Sequence, residues 1–395
     1  MQQISRLMLL LLLFCIGPEI VQAEEFSAKE NNQDDQLVEQ QLDDLGIEEL
    51  KGYWEDMIDQ YGGYLPEMQK GSFMELMKGE KQFSMEGWVK GIIKFAFQEI
   101  VLNGKLLGTI MMLTIFCMFL QSLQNAFEQG TISKIAYAIV FIVLIIMALN
   151  SFHSAMEYAE DAIERMIHFI LALIPFLLAL IATSGGFVSA TFFHPVIIFL
   201  MNTSGMIVQY IVLPLLFLST LLSIVSQLSV HYKVTQLAQL LRNWSIGILG
   251  AFMTIFLGVI SVQGTSTAVT DGVAMRTAKF VTGNFVPVIG KMFTDAADTV
   301  VNASVLLKNT VGIAGVAILL IMTAFPAIKI LIIALIYKFA AAILQPLGSG
   351  PIINCLDTIS KSVIYIFASL AIVSIMFFLC ITIIITAGNI TMMVR

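Results

Sequence analysis

Charge is scarce in this chain. Only 12% of its 395 residues are charged, against roughly a quarter in an ordinary soluble domain. With 58% hydrophobic residues and a mean hydropathy of +0.87, that scarcity excludes a soluble domain and implies an all-α polytopic membrane protein. Cysteine is equally thin: Cys15 lies in the first apolar run, and Cys117, Cys355 and Cys380 are scattered without paired spacing, so no disulfide framework is implied. The four histidines, His153, His168, His194 and His231, share no ligand spacing, which argues against a metal site. No nucleotide-binding signature and no nucleophile motif is present, and "QPLGSGP" at 345–351 is a Gly/Pro turn with no Gly-Lys-Ser/Thr after it. No cofactor and no enzymatic activity are expected, so energy for any transport has to come from a partner or an ion gradient.

What is present begins with "ISRLMLLLLLFCIGPEIVQAEE": one basic residue, a short apolar run, a breaker at Pro18 and the small-residue ending Val21-Gln22-Ala23. This reads as a signal peptide over 1–23, cleaved after Ala23. Charge is then uneven. From Glu24 to Lys90 there are 17 acidic against 6 basic side chains, and from 91 to 395 there are 10 against 14. The segment 24–104 is therefore an acidic extracytoplasmic head, which argues against nucleic acid as a partner. Within it, apolar residues from Val38 to Tyr61 recur at steps of three and four, "YGGYLPE" marks a turn, and 84–102 carries Trp88, Ile93 and Phe97 beside Lys90 and Lys94, as an in-plane interfacial helix does.

The polytopic domain, 105–395, offers apolar stretches near 106–121, 135–150, 166–183, 187–203, 206–226, 246–262, 311–325, 328–344 and 363–386. About seven to nine transmembrane helices are expected, some of them re-entrant or amphipathic, and 187–203 is the weakest because Pro195 interrupts it. With the head outside, nine crossings put Arg395 inside and the acidic 151–165 loop outside.

Two polar segments stand out. In the cytoplasmic loop 227–245, Val230, Val234, Leu237, Leu241 and Trp244 form one helical face, with His231, Lys233, Gln236, Gln239 and Arg242 off it. That pattern fits either a plain connector or a surface helix offering a polar side to a cytosolic partner. In the segment 263–310, Lys291, Asp295, Asp298 and Asn302 fall at i, i+4, i+7 and i+11 in an apolar context. Such a stripe suits a conduit lining, a helix–helix contact or the solvent face of a surface helix, since charges at membrane depth avoid lipid. Lys338, in the apolar run "IKILIIALIYKFAAAIL", is a buried-charge candidate whose default is snorkelling to an interface.

The cleaved leader, the acidic head, "KVTQLAQLLRNW" and above all "FVPVIGKMFTDAADTVVNASVLLKNTVGIAG" at 285–315 resemble the stage III sporulation protein AE family of endospore-forming bacteria, over essentially the whole chain. The resemblance implies a multi-pass component of the mother-cell, or outer forespore, membrane with its head toward the intermembrane space. Its implied partners are sister subunits, among them a cytosolic secretion-type ATPase, and a forespore membrane partner, together building a channel or feeding tube for forespore development. No family site residues are carried over. Two other readings stay open, a secondary transporter with Asp295 and Asp298 as coupling acids and a passive assembly scaffold, and so does homo-oligomerisation.

Overall fold

Apolar positions recurring at three and four residues dictate helices, and the described residues contain no strand. The computed structural model describes the backbone of residues 48–65, 73, 85–126, 131–183, 187–228, 234–285, 289–347 and 350–393; side chains are described over 48–65, 73, 86–123, 135–183, 190–227, 234–262, 304–346 and 350–386. The leader, its expected cleavage after Ala23 and the acidic stretch to residue 47 lie outside the described residues.

In chain order the helices are α1 (Glu48–Tyr61), α2 (Met85–Leu102), α3 (Gly104–Ala126), α4 (Thr131–Thr183), α5 (Phe187–Ile207), α6 (Leu213–Leu228), α7 (Thr235–Phe285), α8 (Ile289–Leu344) and α9 (Pro351–Met393). A π-helical turn, Val208–Val212, joins α5 to α6. Pro214 accounts for it, because proline has no N–H to donate and its ring presses on the carbonyl four residues back. In the wider turn the Leu213 N–H donates to the Val208 carbonyl, and the Val212 carbonyl accepts the Ser245 hydroxyl of α7 at 3.0 Å.

α4, α7 and α8 contain 53, 51 and 56 residues. At 1.5 Å per residue each is about 80 Å long, more than twice a bilayer core of about 30 Å. Among the described residues six helices are long and apolar enough to cross a membrane: Gly104–Leu123, Ile135–Thr183, Ala190–Gln227, Thr235–Val262, Ser304–Leu344 and Pro351–Thr386. That is fewer than the seven to nine expected. The paired stretches 135–150 with 166–183, 187–203 with 206–226, and 311–325 with 328–344 each run on as one rod instead of reversing. The polar 151–168 interval stays helical because Phe152, Ala155, Met156, Ala159, Ala162 and Ile163 bury a continuous face through it.

α9 is the packing centre, set most extensively against α8 and also against α7, α4 and α6. Leu356, Ile359, Val363, Ile366, Leu370, Val373, Phe377, Cys380 and Ile384 alternate steps of three and four and are all fully buried, the seam of a coiled coil. The Ser360 hydroxyl donates to the Ala334 carbonyl at 2.8 Å across the α8–α9 contact, and glycines at 312 and 315 let α8 approach Ile385 and Leu173.

Candidate functional site

The most functional-looking geometry gathers where α1 meets the middle of the bundle. Leu50, Trp54 and Met57 bury one face of α1, and its last residue, Tyr61, lies flat on Phe325 of α8 with ring centroids 4.0 Å apart. Phe95 of α2 meets Phe325 edge-on at 4.7 Å and Tyr64 at 5.0 Å, completing an aromatic clamp. Gly91 makes the clamp possible: a Cβ there would stand 2.3 Å from the Tyr64 carbonyl oxygen. Pro326, next to Phe325, has no N–H for the Met322 carbonyl, which loosens the α8 backbone at this level.

Behind the clamp, α1, α4 and α8 enclose a cavity of about 490 Å³. α1 contributes Tyr53, Asp56, Gln60 and Tyr61, α4 contributes Tyr158, Asp161 and Arg165, and α8 contributes Met322, Pro326 and Lys329. Its charges are mixed and its cations are engaged. Arg165 Nη1 donates to Gln60 Oε1 at 2.9 Å, and Lys329 Nζ lies 4.0 Å from Glu99 Oε1 of α2 and 5.2 Å from the Tyr158 ring centroid. Burial, aided by Glu99 and opposed by Arg165, pushes the Tyr61 hydroxyl above its ordinary value, so at neutral pH it is an uncharged donor. Burial and then Glu49 and Asp56 do the same to Tyr53. Among the described residues no group of three histidines, cysteines or acids is placed to hold a metal ion. The arrangement can bind polar groups and latch the head to the bundle; it contains no nucleophile beside a base.

Below Lys329, toward the α8–α9 connection, Asp357 of α9 accepts from Lys338 of α8 and pairs with Lys361 one turn on, each at 2.5 Å. Lys338 is thus paired with an inter-helix carboxylate.

The residues singled out from sequence fare differently. Lys291, Asp295, Asp298 and Asn302 belong to the helical backbone of α8, but their side chains lie outside the described residues, as do His231 and Lys233. Gln236 and Gln239 are exposed on the first turns of α7, and Arg242 is half-buried with its guanidinium 5.3 Å from the Tyr365 ring centroid of α9. On the apolar face expected for 227–245, Val234 and Leu241 are half-buried while Leu237 and Trp244 face outward. Leu237 is 48% and Trp244 63% exposed, whereas Ala238 and Ser245 are buried, with Ser219 Oγ donating to the Ala238 carbonyl at 2.6 Å. Small residues that accept hydroxyl groups pack closely there, and the large apolar ones turn outward as they do toward lipid. The cavity residues Asp161 and Arg165 were missed because 151–165 read as a loop, where the usable signal was the i, i+4 recurrence of Glu157, Asp161 and Arg165; Asp56 and Lys329 carry no motif of their own.

No solved structure matches this chain. The family model for stage III sporulation protein AE matches residues 68–388. Stage III sporulation protein AE of Bacillus subtilis (strain 168) is 62% identical over 399 residues, covering 100% of both chains. With a family match over most of its length and a full-length relative at that identity, this membrane protein belongs to the stage III sporulation protein AE family.

Proposed function

We propose that the chain is the membrane core, or export platform, of a sporulation channel complex between mother cell and forespore. In this reading it sits in the mother-cell membrane around the forespore, with its head toward the intermembrane space. The observation that carries the proposal is the length of α4, α7 and α8 around α9: each is about 80 Å, where a single crossing needs about 30 Å. A pore-forming or platform subunit gains docking surface from such overhang, and a compact solute carrier does not need it. Outward apolar side chains on α5 and α8, Phe199 and Ile313 among them, fit contacts with sister subunits. The exposed Gln236 and Gln239 at the start of α7 suit the cytosolic ATPase.

The test is affinity isolation of the tagged full-length chain from sporulating cells in mild detergent. The expected result is co-isolation of sister membrane subunits and the ATPase, lost on Phe199→Asp plus Ile313→Asp at unchanged chain level. Recovery of the chain alone, combined with solute uptake by the chain alone in liposomes that Asp295→Asn abolishes, overturns the platform reading in favour of a transporter.

A further inference from the structure

Lys338, Lys361 and Arg242 converge on one outward corner of the bundle. On α9, Asp357, Lys361 and Tyr365 follow one another at single-turn spacing; Lys338 of α8 reaches Asp357 from one side, and Arg242 of α7 lies over Tyr365 on the other. Lys338 and Lys361 keep 56% and 55% of their side-chain surface exposed. Among the described residues Asp357 is the one acid paired with any of the three cations, so the corner carries three positive charges and one negative.

Its surroundings are lipid-like rather than aqueous. Leu335 and Phe339 of α8 and Ile246 of α7 are exposed beside it, and Ile364 and Ala368 continue the same face of α9 toward the middle of the bundle. Every one of these residues lies in a helix apolar enough to cross a membrane. Cations in such a setting reach for the interface with their amines while their stems cover apolar surface. Among the described residues the three cations meet a single carboxylate, which leaves two positive charges unbalanced. A phosphate supplies the missing negative charge, with charge-assisted hydrogen bonds to ammonium and guanidinium, and a basic pocket between membrane helices is where anionic headgroups bind.

We propose that this α7–α8–α9 corner binds an anionic phospholipid: the headgroup phosphate between Lys338, Lys361 and Arg242, and an acyl chain along Leu335, Ile364 and Ala368. The site then ties three of the long helices together only when the surrounding leaflet is anionic.

The experiment uses the full chain in phosphatidylcholine nanodiscs with and without phosphatidylglycerol, reading thermal unfolding and the phospholipid retained by native mass spectrometry. Phosphatidylglycerol is expected to raise the unfolding temperature and to be retained. Lys338→Gln plus Lys361→Gln is expected to weaken retention roughly five-fold per lysine removed. Lys90→Gln leaves it unchanged, because Lys90 lies on α2, outside the α7–α8–α9 corner. If the double variant does not fold, Arg242→Gln, outside the Asp357 pairings, takes its place. Equal stabilisation by phosphatidylcholine, equal retention by the variants, or full replacement of the effect by inorganic phosphate each overturns the proposal.

Discussion

At the scale of single residues, two glycines show how close approach is tolerated or refused. A Cβ on Gly91 meets the Tyr64 backbone oxygen at 2.3 Å, and a backbone carbonyl cannot move aside without shifting the chain. A Cβ on Gly312 is as crowded, 2.2 Å from Ile385 Cδ1 and 2.6 Å from its Cγ1, but both atoms belong to one side chain that can change rotamer without moving backbone. Gly91→Ala is therefore expected to cost about 1–3 kcal/mol and to free α1 from the bundle, while Gly312→Ala stays within about 1.5 kcal/mol. Thermal unfolding together with proteolysis near 62–65 reads both, and an unaltered digestion pattern for Gly91→Ala would refute the clamp. Phe325→Ala, which deletes the ring stacked on Tyr61, is expected to cost about 3–5 kcal/mol. None of this was legible in the sequence: Gly91, Tyr64 and Phe325 carry no motif, and their meaning lies in contacts far apart along the chain.

At the scale of elements, legibility depended on whether one period persisted. The α9 seam from Leu356 to Ile384 repeats for four heptads and reads directly as a long buried helix, and α1 and α2 were legible from their spacing of apolar residues. α4 was not. Its composition changes along the rod from apolar all round, to polar on one face with His153, Glu157, Asp161 and Glu164 exposed, and back to apolar, and an averaged hydropathy mistakes the middle for a loop. A rod with a polar central face has a consequence for access. Single cysteines at 157, 161 and 164 are expected to react with a membrane-impermeant thiol reagent added on the head's side. Cysteines at 139, 142 and 146, whose wild-type side chains are exposed but apolar, are expected to resist it as lipid-facing positions do. Cys117, Cys355 and Cys380 are buried, which keeps the background low. Labelling at all six positions would show that the first half of α4 is outside the bilayer.

At the scale of the whole molecule, the number of crossings fixes which side each end occupies. If each of the six long apolar helices crosses once and the head is outside, the connections near 127–130, 229–234 and 345–350 all fall inside, and the end of α9 falls outside with the head. The contacts agree that the helix ends flanking these connections share one end of the bundle: a Cβ on Gly350 would lie 3.2 Å from Gln121 Oε1 near the end of α3, and Gln227 Nε2 near the end of α6 donates to Thr358 Oγ1 at 2.8 Å. Around those connections the sequence places Lys134, Lys233, Arg242, Lys338 and Lys361 against Glu128 and Asp357, the basic excess that cytoplasmic ends carry. Nine crossings instead send Arg395 to the inside and scatter those lysines over both faces. The two counts are separated by one fusion. Alkaline phosphatase joined after Arg395 is expected to be active and green fluorescent protein at the same place dark, with the reverse pattern after residue 230. A bright fluorescent fusion at the C-terminus would mean an odd number of crossings, so that at least one of the long rods turns back within the membrane and the continuous α4, α8 or α5–α6 helix does not persist there.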